Sequence, residues 1–409
     1  MALSLCLRIW NVSDRGGMMA ISFDAVSVSV PATTANLGSG FDSAGLALGL
    51  YDDTTFELLP SADVEVDIHG EGADTLPRDS HNLMVRAFYE SCDTFNIPPM
   101  GIRLAANNRI PQKRGLGSSA SAIVSGVCAA AAFGGYDIAD RDVQDAVFSI
   151  ASRIEGHPDN VAPAVYGGLT LSWKSVRSVG SEADGPTSFP SSADRPAGSG
   201  VSGVSGIAGG PEAGSFAGYG LDPEDAAQED ASHTGSCTGQ FYSVRYPVSS
   251  QISVYVFIPD FELSTEEARS ALPFSVPFSD AAANLGRAAL LPYALSDAPG
   301  TGALYRSIGA PEEGGSCGPS MHQVLFDATE DRLHQQYRGG LMPESYGLVK
   351  ALRAHGFAAC ISGAGPCVLV LDRSDGEGIA DTGFSTVQRD RWRMQKMSVA
   401  PRGAVVRTA

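Results

Sequence analysis

Between Pro111 and Ala132 the chain reads PQKRGLGSSASAIVSGVCAAAA. Lys113 and Arg114 lead into Gly115, Leu116, Gly117, Ser118 and Ser119, then into small apolar residues. Glycines let backbone N–H groups come close to a phosphate, and a helix starting near Ser119 would aim the positive end of its dipole there. Ser118 and Ser119 supply hydroxyls suited to an N-cap or to a phosphate-bound magnesium ion. Taken alone, a capped buried helix after a turn fits the same residues. The G-x-x-x-x-G-K-[ST] spacing of a Walker A loop is missing.

Two more glycine turns carry polar residues at strand ends. PATTANLGSGFDSAGLAL follows the alternating VSVSV strand at Val26–Val30 and holds Asn36 and Asp42. Strand ends are where ligands usually meet a scaffold, although a glycine loop capped by Asn and Asp is the plainer account of this segment by itself. ISGAGPC, with Gly363 and Gly365, turns between two apolar runs ending at Leu371. EGHPDN places Glu155, His157, Asp159 and Asn160 after an amphipathic helix spanning Asp140 to Ile154. Arg269 falls in ELSTEEAR, where Ser264 and Glu267 form a capping box, and Arg338 falls in QYRGGLMP.

The elements that must hold these loops follow from periodicity and turn residues. Tyr51–Leu59 and Val64–His69 read as an antiparallel hairpin, Asn82–Phe95 as a helix and Gly101–Ala105 as a strand. Val161–Leu171 reads as a glycine-hinged strand and QISVYVFIP as the first strand of a second domain. Ala281–Ala294, Gln323–Gln336 and Leu348–His355 read as helices, the last closed by Gly356. The tail after Arg373 gives little pattern. Residues 1–21 are expected to be a disordered extension, with Met18 and Met19 as alternative starts. Residues 178–243 are expected to be a mobile acidic Gly/Ser-rich insertion, too poor in aliphatics to offset its ordering entropy. Gly309–Pro319 reads as a surface loop. The folded parts are then 22–175 and 250–409.

The 409 residues carry a net charge of −18, which argues against nucleic acid or an anionic membrane as partner and requires a locally basic pocket for any anionic substrate. No apolar run is long enough to span a bilayer. The 7 cysteines are scattered, form no CxxC pair and read as reduced cytoplasmic thiols.

Three glycine loops in this order resemble the three motifs of the GHMP small-molecule kinases, with EGHPDNVAPAVYGG, ELSTEEAR and QYRGGLMP pointing to the homoserine-phosphorylating branch. The resemblance covers about residues 22–175 and 250–372. It implies an α+β, two-domain fold, with an N-terminal domain like that of ribosomal protein S5 and a ferredoxin-like C-terminal domain. It also implies ATP and Mg²⁺ as cofactors, L-homoserine as substrate and a homodimer. ATP phosphates would meet Pro111, Lys113, Arg114, Gly115, Leu116, Gly117, Ser118, Ser119, Ala120 and Ser121. Lys113 and Arg114 could equally be solvated loop cations. Ser119 and Glu155 resemble the family's metal-contacting pair. By the same resemblance Asp42 pairs with the substrate ammonium and Arg269 and Arg338 with its carboxylate, while Asn36, His157 and Asn160 surround its hydroxyl. Gly363 and Gly365 contribute backbone N–H groups, and Asp159 is a candidate base. Cys367 departs from the Ser or Thr usual after Gly-Pro in the third motif, which implies tuning of the site and not its loss. A GHMP kinase for another alcohol, of the mevalonate or sugar type, and a catalytically silent binding protein of this fold are the competing readings.

Overall fold

The computed structural model describes residues 24–98, 100–175, 240–297, 320–373, 379 and 391–408. The expected extension at 1–21, nearly all of the 178–243 insertion and the loop Gly309–Pro319 lie outside the described residues. Described residues 24–174 and 241–408 belong to one compact unit.

The first half of the chain runs β1 (Ala25–Ala35), β2 (Ala44–Leu59), β3 (Val64–Gly70), α1 (Leu83–Cys92) and β4 (Gly101–Asn108). It continues through α2 (Ser118–Phe133), α3 (Arg141–Glu155), α4 (Val161–Tyr166) and β5 (Leu169–Ser175). From residue 240 onward come β6 (Gln240–Tyr246), β7 (Ser253–Pro259), α5 (Thr265–Ser270), α6 (Phe278–Leu295), α7 (Met321–Ala328), α8 (Gln335–Arg338) and α9 (Pro343–Ala354). The chain closes with β8 (Ala358–Ile361), β9 (Val368–Asp372), β10 (Trp392–Met397) and β11 (Val405–Thr408). One sheet has the order β11-β1-β2-β4-β3, with β5 branching from β2 and β6 pairing with β5, and the other has the order β10-β7-β9-β8.

Helix α2 explains its own composition. It is buried on nearly every side, from Ala120 to Phe133 with only Ala122 left out, so its small residues let it sit inside the first core. Val26, Phe56, Phe88, Ile102 and Leu104 pack in that core. A second core joins Leu37, Leu46, Leu48 and Leu116 to Val254, Val256, Leu325 and Leu369, so the glycine-loop region and the second sheet share apolar contacts. The opposite face of β7 presents Tyr255 and Phe257 to a third cluster with Val349 and Leu352.

Several expectations need correction. Tyr51–Leu59 and Val64–His69 do not form a hairpin. Strand β2 pairs with β1, β4 and β5 and not with β3, which lies parallel to β4 at the edge of the sheet. The helix α1 supplies the crossover a parallel pair needs. The apolar strand bearing Ile102 and Leu104 takes the central place, and the strand bearing Glu65, Asp67 and His69 takes the solvated edge. Val161–Leu171 is not one strand, because Val161–Tyr166 is helical and Gly167, at φ 72°, ends the helix before β5. Gln323–Gln336 is two helices, with Thr329 capping α7 and Asp331 accepting the N–H groups of Leu333, His334 and Gln335 to start the next turn. Sequence boundaries at 175 and 250 also fail to divide the sheets. Strand β6 begins within the last residues assigned to the insertion, and β11 returns from the C-terminal end to pair with β1. Among its described residues the unreadable tail therefore holds two strands, β10 and β11, one for each sheet.

Candidate active site

The three glycine loops are tied to one another by hydrogen bonds. Thr33 N–H donates to Leu116 O at 3.1 Å, Gly363 N–H to Ala35 O at 3.1 Å and Cys367 N–H to Arg114 O at 3.3 Å. Ser362 Oγ donates to Gly115 O at 2.6 Å, and Asn36 Nδ2 donates to Gly363 O at 2.8 Å. Gly115 and Gly117 have φ of 74° and 70°, and a Cβ there would collide with the Ser362 carbonyl and the Thr33 hydroxyl. Only glycine supports both that backbone and that approach. Gly117 caps α2 with no side-chain hydrogen bond, so the first N–H groups of this long helix are left for an anion.

Beside that helix end, Ser119 Oγ donates to Glu155 Oε2 at 2.6 Å. Burial raises the Glu155 pKa, and the Ser119 hydrogen bond and nearby His157 only partly offset it. His157 Nδ1 lies 2.7 Å from Asp159 Oδ1. Burial draws the imidazole toward neutrality, yet the hydrogen bond and charge of Asp159, with Glu155 behind, outweigh it and raise the His157 pKa. Asn160 accepts from Thr33 Oγ1 at 2.8 Å, which fixes the direction of its amide. Farther along, Arg269 grips Asp42 through two bonds of 2.9 and 3.0 Å. Arg338 is 2% exposed and donates from Nε to Ala268 O at 3.1 Å.

One cavity of about 340 Å³ opens among these groups. Of the residues expected at the site, Asn36, Asp42, Lys113, Gly115, Gly117, Ser118, Ser119, Glu155, His157, Asp159, Asn160, Arg269, Arg338 and Gly363 are on its wall. Six other expected residues are not. Pro111, Leu116 and Ala120 are buried, Leu116 and Ala120 in the apolar cores. Ser121 Oγ is spent on Asp52 at 3.0 Å. Arg114 donates to Pro259 O at 3.0 Å and faces Glu262, so it braces the loop against β7. Gly365 packs against Met342. Cys367, read as a possible tuning group, is fully buried in the second core, so its thiol is a packing group.

The wall also includes residues that sequence reasoning missed. Ser264 and Thr265 stand at the start of α5, where the capping box was a usable signal. An apolar end formed by Leu76, Pro77, Leu83, Met84 and Ala122 gave no signal, because those residues come from separate segments.

Residues 82–168 match the GHMP kinases N terminal domain and residues 318–382 the GHMP kinases C terminal. The chain belongs to the GHMP kinase family. Within it, the chain is 38% identical to the homoserine kinase of Streptomyces avermitilis over 93% of its length and 95% of that protein's. It is 37% identical to the homoserine kinase of Streptomyces coelicolor over 93% and 94% of the respective chains. The crystal structure of homoserine kinase from Cytophaga hutchinsonii shares the fold with a TM-score of 0.63 and 21% identity, covering 95% of this chain and 99% of that one. No helix among the described residues is long and apolar enough to cross a membrane.

Proposed function

We propose that this chain is a homoserine kinase, moving the γ-phosphoryl group of ATP onto the side-chain hydroxyl of L-homoserine in a cytoplasmic route to threonine. The observation that carries this reading is a single cavity joining the phosphate-type helix end to Asp42, Arg269 and Arg338. Arg269 holds the Asp42 carboxylate and Arg338 lies on the same wall; one carboxylate with two guanidinium groups complements an amino-acid zwitterion, and neither a sugar nor mevalonate offers an ammonium for Asp42. The apolar end with Leu76, Leu83 and Met84 suits a nucleoside base.

The residues present fit a magnesium ion as well. Ser119 and Glu155 offer hard oxygen donors side by side, and among the described residues no group of three metal-ligating side chains exists, so phosphate oxygens would complete the shell. When bound, the ion would neutralise charge on the phosphate oxygens. The chain's own contribution is positioning and charge. Backbone N–H groups at Gly117–Ser119 hold the phosphate, and Asp42 with the two arginines aims the acceptor hydroxyl. The His157 ring is held at Nδ1 by Asp159, whose hydrogen bond and charge raise its pKa, so the ring is oriented beside the acceptor hydroxyl and its charged form is stabilised there. Asp159 Oδ1 is occupied by the same bond, so this carboxylate acts first by orienting His157.

An ADP-release assay with homoserine, mevalonate, galactose and shikimate tests the reading. Turnover with homoserine alone is expected. Turnover with another alcohol alone sinks the substrate assignment, and none with any alcohol favours the silent binding protein. Arg338→Ala is expected to raise the homoserine KM with ATP binding retained.

A further inference from the structure

His334 lies outside the cavity wall, fully buried, one residue before α8 and four before Arg338. Both of its ring nitrogens are committed. Nδ1 is 3.3 Å from Arg338 Nη1, and Nε2 is 2.9 Å from the carbonyl oxygen of Gly38. A guanidinium has only donors and a carbonyl only accepts, so the geometry fixes the tautomer: Nδ1 accepts from Arg338, and Nε2–H donates to Gly38. Burial lowers the His334 pKa, the adjacent Arg338 charge works in the same sense, and Asp331 and Asp42 oppose it. An imidazolium would also present an N–H to the Arg338 N–H. Asp331, 3.6 Å from Nε2, already accepts backbone N–H groups of the turn.

The same ring organises the other side of the acceptor end. It stacks on Phe41 at 5.0 Å with a 25° interplanar angle, and the Arg338 guanidinium lies 5.2 Å from the Phe41 centroid. Phe41 adjoins Asp42, and Gly38 opens the same turn. Through one imidazole the structure links the arginine and the aspartate that face the two charged ends of an amino acid.

We propose that His334 is a positioning residue for acceptor specificity, holding the Arg338 guanidinium and the Gly38–Asp42 turn in one frame that selects an α-carboxylate beside an α-ammonium. This rests on the reading of the site as an amino-acid kinase. Arg338 Nε is held by Ala268 and Nη1 by His334, so the guanidinium has one setting toward the cavity. Without the imidazole it keeps the Ala268 bond and the contact with the Phe41 ring, and loses the hydrogen bond at Nη1.

The test compares homoserine with its decarboxylated analogue, an amino alcohol that keeps the ammonium and the hydroxyl. His334→Leu is expected to raise the homoserine KM about tenfold or more with the ATP KM little changed, as loss of a hydrogen bond to a charged group implies. The preference for homoserine over the amino alcohol should fall by a similar factor. It should fall no further when His334→Leu is added to Arg338→Ala. His334→Asn, which keeps an acceptor near the Nδ1 position, should recover more of the preference than His334→Gln, whose amide reaches only toward Gly38. That pair also supplies the comparison if the leucine variant does not fold. An unchanged preference, or equal losses for both acceptors, overturns the proposal. Absence of homoserine turnover in the unaltered enzyme overturns the functional reading instead, which separates the two failures.

Discussion

Asn36 and Gly363, 327 positions apart in the chain, share a hydrogen bond of 2.8 Å from the Asn36 amide to the Gly363 carbonyl. The Asn36 Oδ1 accepts the backbone N–H of Asp42 at 3.0 Å. One buried amide therefore joins the first and third glycine loops and sets the backbone of the residue assigned to the substrate ammonium.

Replacing Asn36 by alanine should leave both a buried carbonyl and the Asp42 N–H without their partner. It would also place an ordinary residue at φ 69°, a conformation that asparagine tolerates better. The combined cost is about 2–4 kcal/mol of stability. A urea titration measures it. A loss below 0.5 kcal/mol, about the error of such a curve, would mean that the loops are held together without this residue.

Glu155→Gln should preserve the Ser119 hydrogen bond, since the amide oxygen still accepts, while removing the negative charge. The thermal midpoint should stay near that of the unaltered protein. The Mg²⁺ concentration needed for half-maximal activity should rise at least tenfold, because a ligand charge is lost. Burial raises the Glu155 pKa in the absence of metal, so apparent Mg²⁺ affinity in the unaltered enzyme should weaken as pH falls. An unchanged Mg²⁺ requirement in the glutamine variant would remove Glu155 from the metal's shell.

Much of this site was legible through the resemblance of the three glycine loops to the GHMP kinases, which gave roles to residues that local signals alone left open. Asp42, Glu155, Arg269 and Arg338 are charged residues next to glycine turns or helix ends, and a short window shows both features. Asp52 and His334 were not legible for a related reason. Asp52 sits in LYDDTTFE beside Asp53; alternation puts it on the face of Phe56, but the partners it holds at Arg109, Ile110 and Ser121 are more than 50 residues away and no short window shows them. His334 falls within a stretch whose periodicity reads as one helix, and the break that turns it inward depends on Asp331 capping a new turn. The edge position of β3 has the same origin, since strand order is set by long-range pairing that no window of sequence contains.

The His157–Asp159 pair predicts a pH dependence of stability. The folded-state pKa of His157 lies above its ordinary value of 6.5, so its stabilising contribution is fully present below the unfolded pKa. It is lost as pH rises from about 6.5 through the raised folded value. Thermal midpoints measured from pH 5.5 to about 9 should therefore fall with a steeper slope in the unaltered protein than in His157→Gln, which cannot take the charge. Parallel slopes would show that this histidine titrates as it does in the unfolded chain.

Asp52 makes the last prediction, because it holds both ends of the phosphate loop at once. Its Oδ1 accepts the N–H groups of Arg109 at 2.7 Å and Ile110 at 2.9 Å, where the chain leaves β4. Its Oδ2 accepts from Ser121 at 3.0 Å, in the first turn of α2. Entry and exit of the Arg109–Ser118 segment are thus pinned to one carboxylate that is 1% exposed. Asp52→Ala strands three donors and should cost about 3 kcal/mol or more, given about 1–3 kcal/mol for each unsatisfied buried group. Asp52→Asn keeps an acceptor for the two backbone N–H groups and an amide that Ser121 Oγ can accept from, so it should cost far less. If the carboxylate's role is to set the loop, the alanine variant measured below its unfolding temperature should show a raised ATP KM while the homoserine KM changes little. Equal rises in both would mean that Asp52 supports the fold as a whole and not the phosphate loop in particular.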